Sequence, residues 1–438
     1  MNLPKVLIIG QPFNNDTGGG ITLSNLFKNW DKVDLAVACS PYLITDSINP
    51  GICNKYYQLG YEETKWRFPF NLIQKKYQSG QLKFGEKAIS ESSPKKSKLR
   101  VKLIMDVFIP VLHFLGFLHI ISKTSISSQF KDWLIKFAPD VIYVQPTSRD
   151  GILFCLQVQS FLQKPLIFHI MDDWPVTITD NGVFKKFWSK KIDKAFRKLL
   201  DKADVLMSIS GEMSRIYKIR YNKDFIPFHN PINVDFWGKH QRKDYDLSTE
   251  PTILYAGRIG LGIESSLEPF ALAVEKVNAE MKLSIKFVLQ TPEQPNWIKN
   301  YSFVKHQKFG NYSDLPKIFS TADFLLLPYD FSPNAIDFIK YSMPTKAPEY
   351  MMSGTPIILF APEETAIVKY CELNECAKII TENNVDVIAD KLKDLIHNKS
   401  EREFIAENAK KTASEEHDSI KVTRAFETII KSLVPEKH

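Results

Sequence analysis

The chain has 438 residues, of which 44% are apolar and 24% are charged, and its formal net charge is +7. This composition is typical of a soluble globular protein and excludes disorder as the dominant state. A chain of this length exceeds the size at which one core stops growing, so we expect two domains of roughly 200 residues each. The basic residues accompany no nucleic-acid-binding motif, and we therefore expect no nucleic-acid partner.

The five cysteines are odd in number and form no Cys–Cys or Cys–His cluster with zinc spacing. We expect reduced thiols, most of them buried. The sequence begins MNLPKVLIIG and enters a strand pattern directly, without the basic region and apolar stretch of a secretory signal. These features predict a cytoplasmic protein.

Short apolar runs of strand length alternate with longer periodic segments. The first half contains KVLIIG, DLAVACS, DVIYVQ, PLIFHIM and DVLMSIS, and the second contains TILYAG, LSIKFVLQ, DFLLLPY and PIILF. Nearly continuous apolar strands with helices between them are typical of parallel sheets covered on both faces. The sequence therefore predicts an α/β fold with two successive α/β domains.

The polar stretch at 229–251 contains prolines, shows no period and is predicted to be a linker. The predicted N-terminal domain covers residues 1–235 and the predicted C-terminal domain covers residues 250–415. Residues 416–438 form a final helical pattern that could pack back on the N-terminal domain.

Residues 55–125 depart from the alternating pattern. They include a basic cluster, PKKSKLRVK at 94–102, and then an apolar stretch at 103–121 that contains an aspartate, a proline and two histidines. These residues fit a transmembrane span poorly, so we predict a helical excursion from the first domain. The excursion is either a buried helical hairpin or a basic and apolar face, residues 94–121, that docks on anionic lipid head groups.

A glycine-rich loop, QPFNNDTGGG, follows the first predicted strand and leads into a helix that begins near Ile21. Gly19 and Gly20 would let the backbone approach a bound group, and the helix N-terminus would supply unpaired N–H groups for a phosphate. The loop matches neither the dinucleotide fingerprint nor the P-loop. A turn that needs glycine for backbone reasons alone remains the alternative.

Two adjacent carboxylates, Asp172 and Asp173, lie in FHIMDDWP directly after a predicted parallel strand. Ligands of open α/β sheets bind beyond the carboxyl ends of the strands, so these side chains are candidates to bind acceptor hydroxyls or to take a proton. Helix capping or a solvated turn would also explain them. Trp174 is either a stacking platform for a sugar or a core residue.

Arg258 follows the predicted strand TILYAG in the second half of the chain. Its planar guanidinium could bind two phosphate oxygens of a diphosphate at once, although a surface ion pair is the common role of such an arginine. A different pattern, Asp244-Tyr245-Asp246, spells the DxD motif of metal-dependent sugar transferases. It lies in the polar linker, after no strand, and we interpret it as a solvated charge run.

The most informative segment is SMPTKAPEYMMSGTPI at 342–357. Ser342 and the two residues after it are predicted to form the entry to a short helix, with Lys346 and Glu349 on one face at i and i+3. Lys346 and the helix N-terminus could then face a phosphate while Glu349 accepts hydrogen bonds from a ribose. A simple salt bridge within the helix is the alternative.

Six segments of the sequence occur in an order and at separations that resemble family 4 of the retaining glycosyltransferases. They are the GGG loop, PDVIYVQ, DDWP, HNPINVD, AGRI and PTKAPEYMMSGTPI. That family has two facing Rossmann-like domains, the GT-B fold, and several of its enzymes build bacterial surface polysaccharides. The resemblance covers nearly the whole chain and is most specific in the last motif.

The resemblance implies that Arg258 and Lys346 hold the donor diphosphate, with Ser342 beside them, and that Glu349 binds the donor ribose. No metal and no other cofactor are expected, because Arg, Lys and helix N-termini can neutralise a leaving diphosphate. A retaining enzyme of this kind needs no protein nucleophile, since the departing phosphate can itself take the acceptor proton.

On the other side of the reaction, the resemblance places Asp172 and Asp173 with the acceptor as the catalytic candidates. It also implies that the glycines near Gly19 and Gly20 face the phosphates or the sugar.

Three positions depart from the family pattern. Tyr341 stands where the family carries a glutamate, eight residues before Glu349, and GLGIESSLE after Arg258 lacks the usual lysine. A histidine expected at the end of the fourth strand aligns with Met171, unless His169 substitutes.

Our hypothesis is that the protein transfers a sugar from a UDP- or GDP-sugar to a hydroxyl of a lipid-linked glycan, at the inner face of the plasma membrane. One alternative is a non-catalytic nucleotide-sugar-binding pseudoenzyme that supports a partner transferase, suggested by Tyr341 and the missing lysine. Another is an epimerase of similar fold or a dinucleotide enzyme. Those would need an acid/base pair or a GxGxxG fingerprint, which the sequence does not contain.

Overall fold

The structure is a computed structural model and describes residues 3–82, 109–114, 116, 121–178, 182–260 and 262–435. The chain separates into two compact units. The first comprises Met1–Ser208, Ser214–Phe228 and Thr423–His438, and the second comprises Ile209–Met213 and His229–Val422.

The first unit contains an eight-stranded sheet and a separate two-stranded sheet. The strands, in chain order, are β1 (Val6–Ile9), β2 (Leu35–Cys39), β3 (Tyr56–Gln58), β4 (Thr64–Trp66), β5 (Gly80–Leu82), β6 (Ser122–Thr124), β7 (Val141–Val144), β8 (Leu166–Ile170), β9 (Val205–Ser208) and β10 (Ile226–Pro227). The large sheet has the order β10-β9-β8-β7-β1-β2-β3-β5, and every pair in it is parallel except β3 with β5. The strand order reverses between β1 and β7, which is where ligands of doubly wound sheets bind.

The helices of the first unit are α1 (Gly18–Leu26), α2 (Ile109–Phe114), α3 (Ser128–Phe137), α4 (Arg149–Leu162), α5 (Trp174–Thr177), α6 (Lys185–Lys202) and most of α7 (Gly211–Tyr221). Helix α6 shows why such segments are helical. Its buried residues recur every three or four positions, which places them on one face. They are Trp188, Ile192, Ala195, Phe196, Leu199 and Leu200.

The segment 55–125 differs from the predicted helical excursion. In its described residues, β3, β4, β5 and β6 are strands, and α2 is the one α-helix. Residues 55–82 are not an α-helical excursion, because the buried Tyr56 and Tyr57 pair with β2 and extend the parallel sheet. The basic cluster 94–102 and most of the apolar stretch 103–121 lie outside the described residues.

The second unit contains a six-stranded parallel sheet made of β11 (Thr252–Ala256), β12 (Lys286–Gln290), β13 (Val304–Gln307), β14 (Phe324–Pro328), β15 (Ile357–Phe360) and β16 (Lys378–Ile380). Its order, β13-β12-β11-β14-β15-β16, is the 3-2-1-4-5-6 order of a Rossmann sheet. The order reverses between β11 and β14. Together with the first sheet, this confirms the predicted α/β class with two Rossmann-like domains.

Eight helices surround the second sheet in the described residues. They are α8 (Val234–Gly238), α9 (Glu264–Met281), α10 (Leu315–Thr321), α11 (Pro333–Ile339), α12 (Ala347–Ser353), α13 (Ala366–Asn374), α14 (Val385–His397) and α15 (Lys399–Glu416). Helices α9 and α14 pack together over the sheet, where Phe270, Phe287 and Leu392 are buried in one apolar core. Burial on both faces explains why these strands are continuously apolar.

The last helix, α16 (Ser419–Ser432), returns to the first unit. The ring of Phe426 lies 5.0 Å from that of Phe27 and 5.3 Å from that of Phe228, and the Asn29 side chain donates a hydrogen bond to Glu427. No helix in the described ranges is long and apolar enough to cross a membrane.

Candidate functional site

Lys346 lies at the carboxyl end of β11, where the strand order of the second unit reverses. Its ammonium donates a 2.8 Å hydrogen bond to the Ala256 carbonyl and lies 4.4 Å from the centre of the Tyr255 ring. A Cβ on Gly257 would lie 1.8 Å from Lys346 Nζ. Glycine at position 257 therefore leaves the space in which the lysine lies across the end of the strand.

Helix α12 begins at Ala347, so Lys346 precedes the helix and does not lie on its face as predicted. Lys346 is its N-cap and Glu349 is the third residue of the helix, so the two do not form a pair within the helix. Pro348 is compatible with this start because the first-turn N–H groups have no partner inside a helix. Ser342 precedes α12, and its hydroxyl donates to the Phe338 carbonyl in the last turn of α11.

Lys346 and Glu349 are both half-buried, and burial shifts both of their pKa values. It lowers the pKa of Lys346 to about 8, an effect that the Glu349 carboxylate opposes. It raises the pKa of Glu349 to about 8, an effect that the Lys346 charge opposes. Burial thus favours the neutral form of each group and their mutual attraction favours the charged forms, so an anionic ligand beside Lys346 would stabilise the lysine charge.

Arg258 is exposed and follows β11 by two residues, on the same sheet edge as Lys346. The Tyr255 hydroxyl donates a 2.6 Å hydrogen bond to the Arg258 carbonyl and so fixes the backbone at this point. A small pocket opens beside these residues, at the carboxyl ends of β11, β14 and β15. It is lined by Tyr255, Ile263, Leu327, Pro328, Tyr329, Pro344, Lys346, Leu359 and Ile367.

The sequence interpretation missed two aromatic residues of this site. Tyr255 holds both Lys346 and the backbone of Arg258, as described above. Tyr312 lies close enough to Glu349 for that carboxylate to contribute, after burial, to raising the tyrosine pKa to about 12. Its ring stacks on Phe236 at a centroid distance of 5.3 Å. Neither residue lies in the lysine motif, so no local pattern indicated them.

In the first unit, the glycine-rich loop lies at the carboxyl end of β1. Thr17 caps α1 by accepting a 3.1 Å hydrogen bond from the Gly20 N–H. A Cβ on Gly20 would lie 2.3 Å from Asn14 Oδ1, and Asn14 is itself held by the N–H and hydroxyl of Thr17. Gly20 is thus explained by packing against the Asn14 side chain, a reason different from the backbone turn given as the alternative. A Cβ on Gly19 would make only ordinary contact with Gln11.

Asp173 is buried and paired. Arg220 donates to both carboxylate oxygens at 2.7–3.0 Å, and the Tyr217 hydroxyl donates to one of them at 2.7 Å. With both oxygens occupied, this carboxylate is poorly placed to take a proton from an acceptor. Asp172 is half-buried and follows β8, as expected for a residue at the edge of the sheet.

His169 lies inside β8 and is buried, so it does not replace the histidine expected at the end of that strand. Its Nδ1 forms a 2.5 Å hydrogen bond with the Tyr143 hydroxyl, and burial lowers its pKa to about 3. The linker residues Asp246 and Asp244 lie 2.7 Å and 3.8 Å from the ammonium of Lys399, the first residue of α15. These aspartates therefore form surface ion pairs, in agreement with the solvated interpretation of the DxD pattern.

The sequence and the structure were each compared with known proteins. Residues 239–412 match the family described as glycosyl transferases group 1. None of the curated protein sequences compared with the chain matches it. HepE of Anabaena, in complex with UDP and glucose, has a TM-score of 0.58 at 12% identity, over 98% of this chain and 100% of that one.

Two further solved structures show the same fold. A glycosyltransferase from Rickettsia africae has a TM-score of 0.61 at 13% identity, with complete coverage of both chains. Sucrose-phosphate synthase from Thermosynechococcus elongatus has a TM-score of 0.58 at 11% identity, over 98% of each chain. The chain thus has the GT-B fold of these proteins, and its residues 239–412 are similar to the glycosyl transferases group 1 family.

Proposed function

We propose that the protein transfers a sugar from a nucleotide diphosphate sugar to a hydroxyl of a glycan acceptor. The observation that carries this proposal is the buried ammonium of Lys346, held against the Ala256 carbonyl at the point where the sheet order reverses. A cation fixed at this position suits the diphosphate of a donor. HepE, whose structure is described with UDP-glucose, has the same fold, which favours UDP over GDP as the nucleotide.

Each of the four candidate polar residues of the second unit then has a part in donor binding. Lys346 and Arg258 neutralise the diphosphate, Glu349 accepts hydrogen bonds from the ribose, and Ser342 is assigned to the same donor site. In the transfer step the bond between the sugar anomeric carbon and the phosphate oxygen breaks, and a bond to the acceptor oxygen forms. The leaving diphosphate takes the acceptor proton, with retention of configuration and without a metal ion.

We assign acceptor binding to the first unit, where Asp172 follows β8 and Gly19 lies in the first turn of α1. Asp173 supports this edge through its ion pair with Arg220. The acceptor we propose is a lipid-linked glycan of a cell-surface polysaccharide, which the protein reaches as a peripheral enzyme at the inner face of the plasma membrane.

Thermal unfolding in the presence of UDP, GDP and their sugars tests the donor site. A ligand present at 100 times its Kd stabilises the fold by about 2.7 kcal/mol, so a true donor raises the Tm measurably. The shift should disappear in Lys346→Ala and persist in Lys391→Ala, which removes an exposed lysine from α14. If no nucleotide sugar raises the Tm, the proposal is wrong. A shift without any release of nucleotide diphosphate would favour the non-catalytic alternative.

A further inference from the structure

Helix α6 has a basic face on its solvent side. All seven lysines of α6 are exposed. Ion pairs of this helix join Arg197 to Asp193 and Asp201 to Lys223, and five of the lysines, on one face of the helix, form no ion pair with a described residue. They are Lys186, Lys190, Lys191, Lys194 and Lys198. A helix face with this much unpaired positive charge attracts an anionic partner over a distance of about a Debye length.

Exposed apolar side chains lie beside these lysines. Phe187 is on the solvent side of α6, with the Lys191 ammonium 5.5 Å from the centre of its ring. Val183 and Phe184 precede the helix, and Val111 and Phe114 belong to α2. The five side chains are 48–61% exposed. Large apolar groups left this open rarely gather on one surface without a binding role.

Helix α2 and the start of α6 form one continuous surface. The Val183 N–H donates a 2.9 Å hydrogen bond to the Phe114 carbonyl. Gly116, just after α2, lies so close to Trp188 that a Cβ there would be 2.4 Å from the indole nitrogen. The buried Trp188 therefore fixes α2 beside the apolar start of α6, and the lysines continue along the same helix.

We propose that this surface, named the α6 face and made of the five apolar side chains and the five lysines above, docks on an anionic lipid bilayer. Apolar side chains entering the head-group region beside lysines that meet lipid phosphates give both the insertion and the attraction that peripheral binding needs. Nucleic acid fits less well, since the aliphatic side chains of Val111 and Val183 have no base to stack on. The α6 face consists only of described residues of the first unit.

The inference extends the proposed function, because a lipid-linked acceptor is reached at a bilayer, but it does not depend on the donor site. The full-length protein is sedimented with vesicles of phosphatidylcholine alone or with phosphatidylglycerol added. We expect binding only to the anionic vesicles, weakened by salt. Lys186→Glu/Lys190→Glu should reduce the affinity at least tenfold, since each lysine near an anionic surface contributes roughly a factor of five.

A charge-matched control, Lys391→Glu/Lys411→Glu, changes two exposed lysines of the second unit and should bind like the wild type. Phe184→Ser/Phe187→Ser should weaken binding without weakening its salt dependence, because it removes insertion and keeps the charge. Donor-induced thermal shifts should be unchanged in both α6-face variants, and Lys346→Ala should bind vesicles normally, which separates this inference from the proposed function.

Three results would overturn the proposal. One is equal binding to neutral and anionic vesicles, and a second is equal loss of binding in the α6-face charge variant and its control. The third is binding to heparin, used as a soluble polyanion, with no binding to anionic vesicles. Circular dichroism of each variant shows whether it is folded, and the side chains substituted in the α6-face variants and in their control are exposed.

Discussion

The pH dependence of donor binding tests the assignment of Lys346. Burial brings the pKa values of Lys346 and Glu349 both to about 8. As the pH rises through this value the pair releases protons, and its net charge falls whichever group titrates first. A diphosphate is therefore expected to bind tightly below pH 8 and progressively less tightly above it.

The size of the effect follows from the lysine pKa. When binding requires a proton on a group whose pKa is about 8, the affinity falls about tenfold between pH 7 and pH 9. A lysine with the ordinary pKa of about 10.4 would give almost no change over the same range. The diphosphate diester of a nucleotide sugar keeps its charge throughout, so isothermal titration with the donor measures the change in the protein. Binding near pH 8 should also take up protons from the buffer.

Two variants separate the contributions of the pair. Lys346→Arg keeps the positive charge at all these pH values and should flatten the pH profile. Glu349→Gln removes the charge that opposes the lowering of the lysine pKa, so its affinity should begin to fall at a lower pH. A wild-type affinity that stays constant from pH 7 to pH 9 would refute the reasoning, because a half-buried lysine with a lowered pKa could not then supply the binding charge.

Three further predictions concern stability. Gly10→Ala should destabilise the fold by about 2 kcal/mol or more in denaturant unfolding, since φ is +105° and the new Cβ would lie 2.6 Å from a backbone carbonyl oxygen; Gly211→Ala, with no atom within 4 Å of its new Cβ, should cost little. Asp173→Asn should destabilise by about 3 kcal/mol because it leaves the Arg220 charge without its partner, and an unchanged Tm would contradict this. Burial lowers the pKa of His229 to about 4, below its unfolded value of about 6.5, so the unfolded state binds the extra proton and stability should fall from pH 6.5 to pH 4. His229→Gln should make that fall shallower.

The sequence predicts the sheets well because their strands are buried on both faces. TILYAG, after its first residue, and PIILF show no alternation of apolar and polar residues. They correspond to β11 and β15, which flank β14 in the sheet. Residues 55–82 carry no such signal. Strands β3 and β5 have three residues each, too few to show a period, and their pairing with β2 and with each other is set by tertiary contacts.

The candidate site could be predicted in part. The spacing of Lys346 and Glu349 is visible in one short segment of the sequence. The position of Arg258 after a strand is visible in another. The partner of Asp173 was not visible, because Arg220 lies 47 residues further along the chain and no local pattern links the two. A pair of adjacent aspartates after a strand therefore suggested catalysis for both residues, while tertiary structure gives one of them a buried ion pair.

The position of Lys346 has a consequence for donor binding. The nitrogen is held by the backbone of β11 and by Tyr255, and the space it occupies exists because residue 257 lacks a side chain. A lysine on an exposed helix face would lose considerable rotamer freedom on binding an anion, whereas one fixed in advance loses little. The burial that fixes the Lys346 ammonium also removes water from it, and this loss of hydration lowers the pKa of the lysine. In the complex that we propose, a donor diphosphate beside Lys346 would replace that lost hydration with a full negative charge.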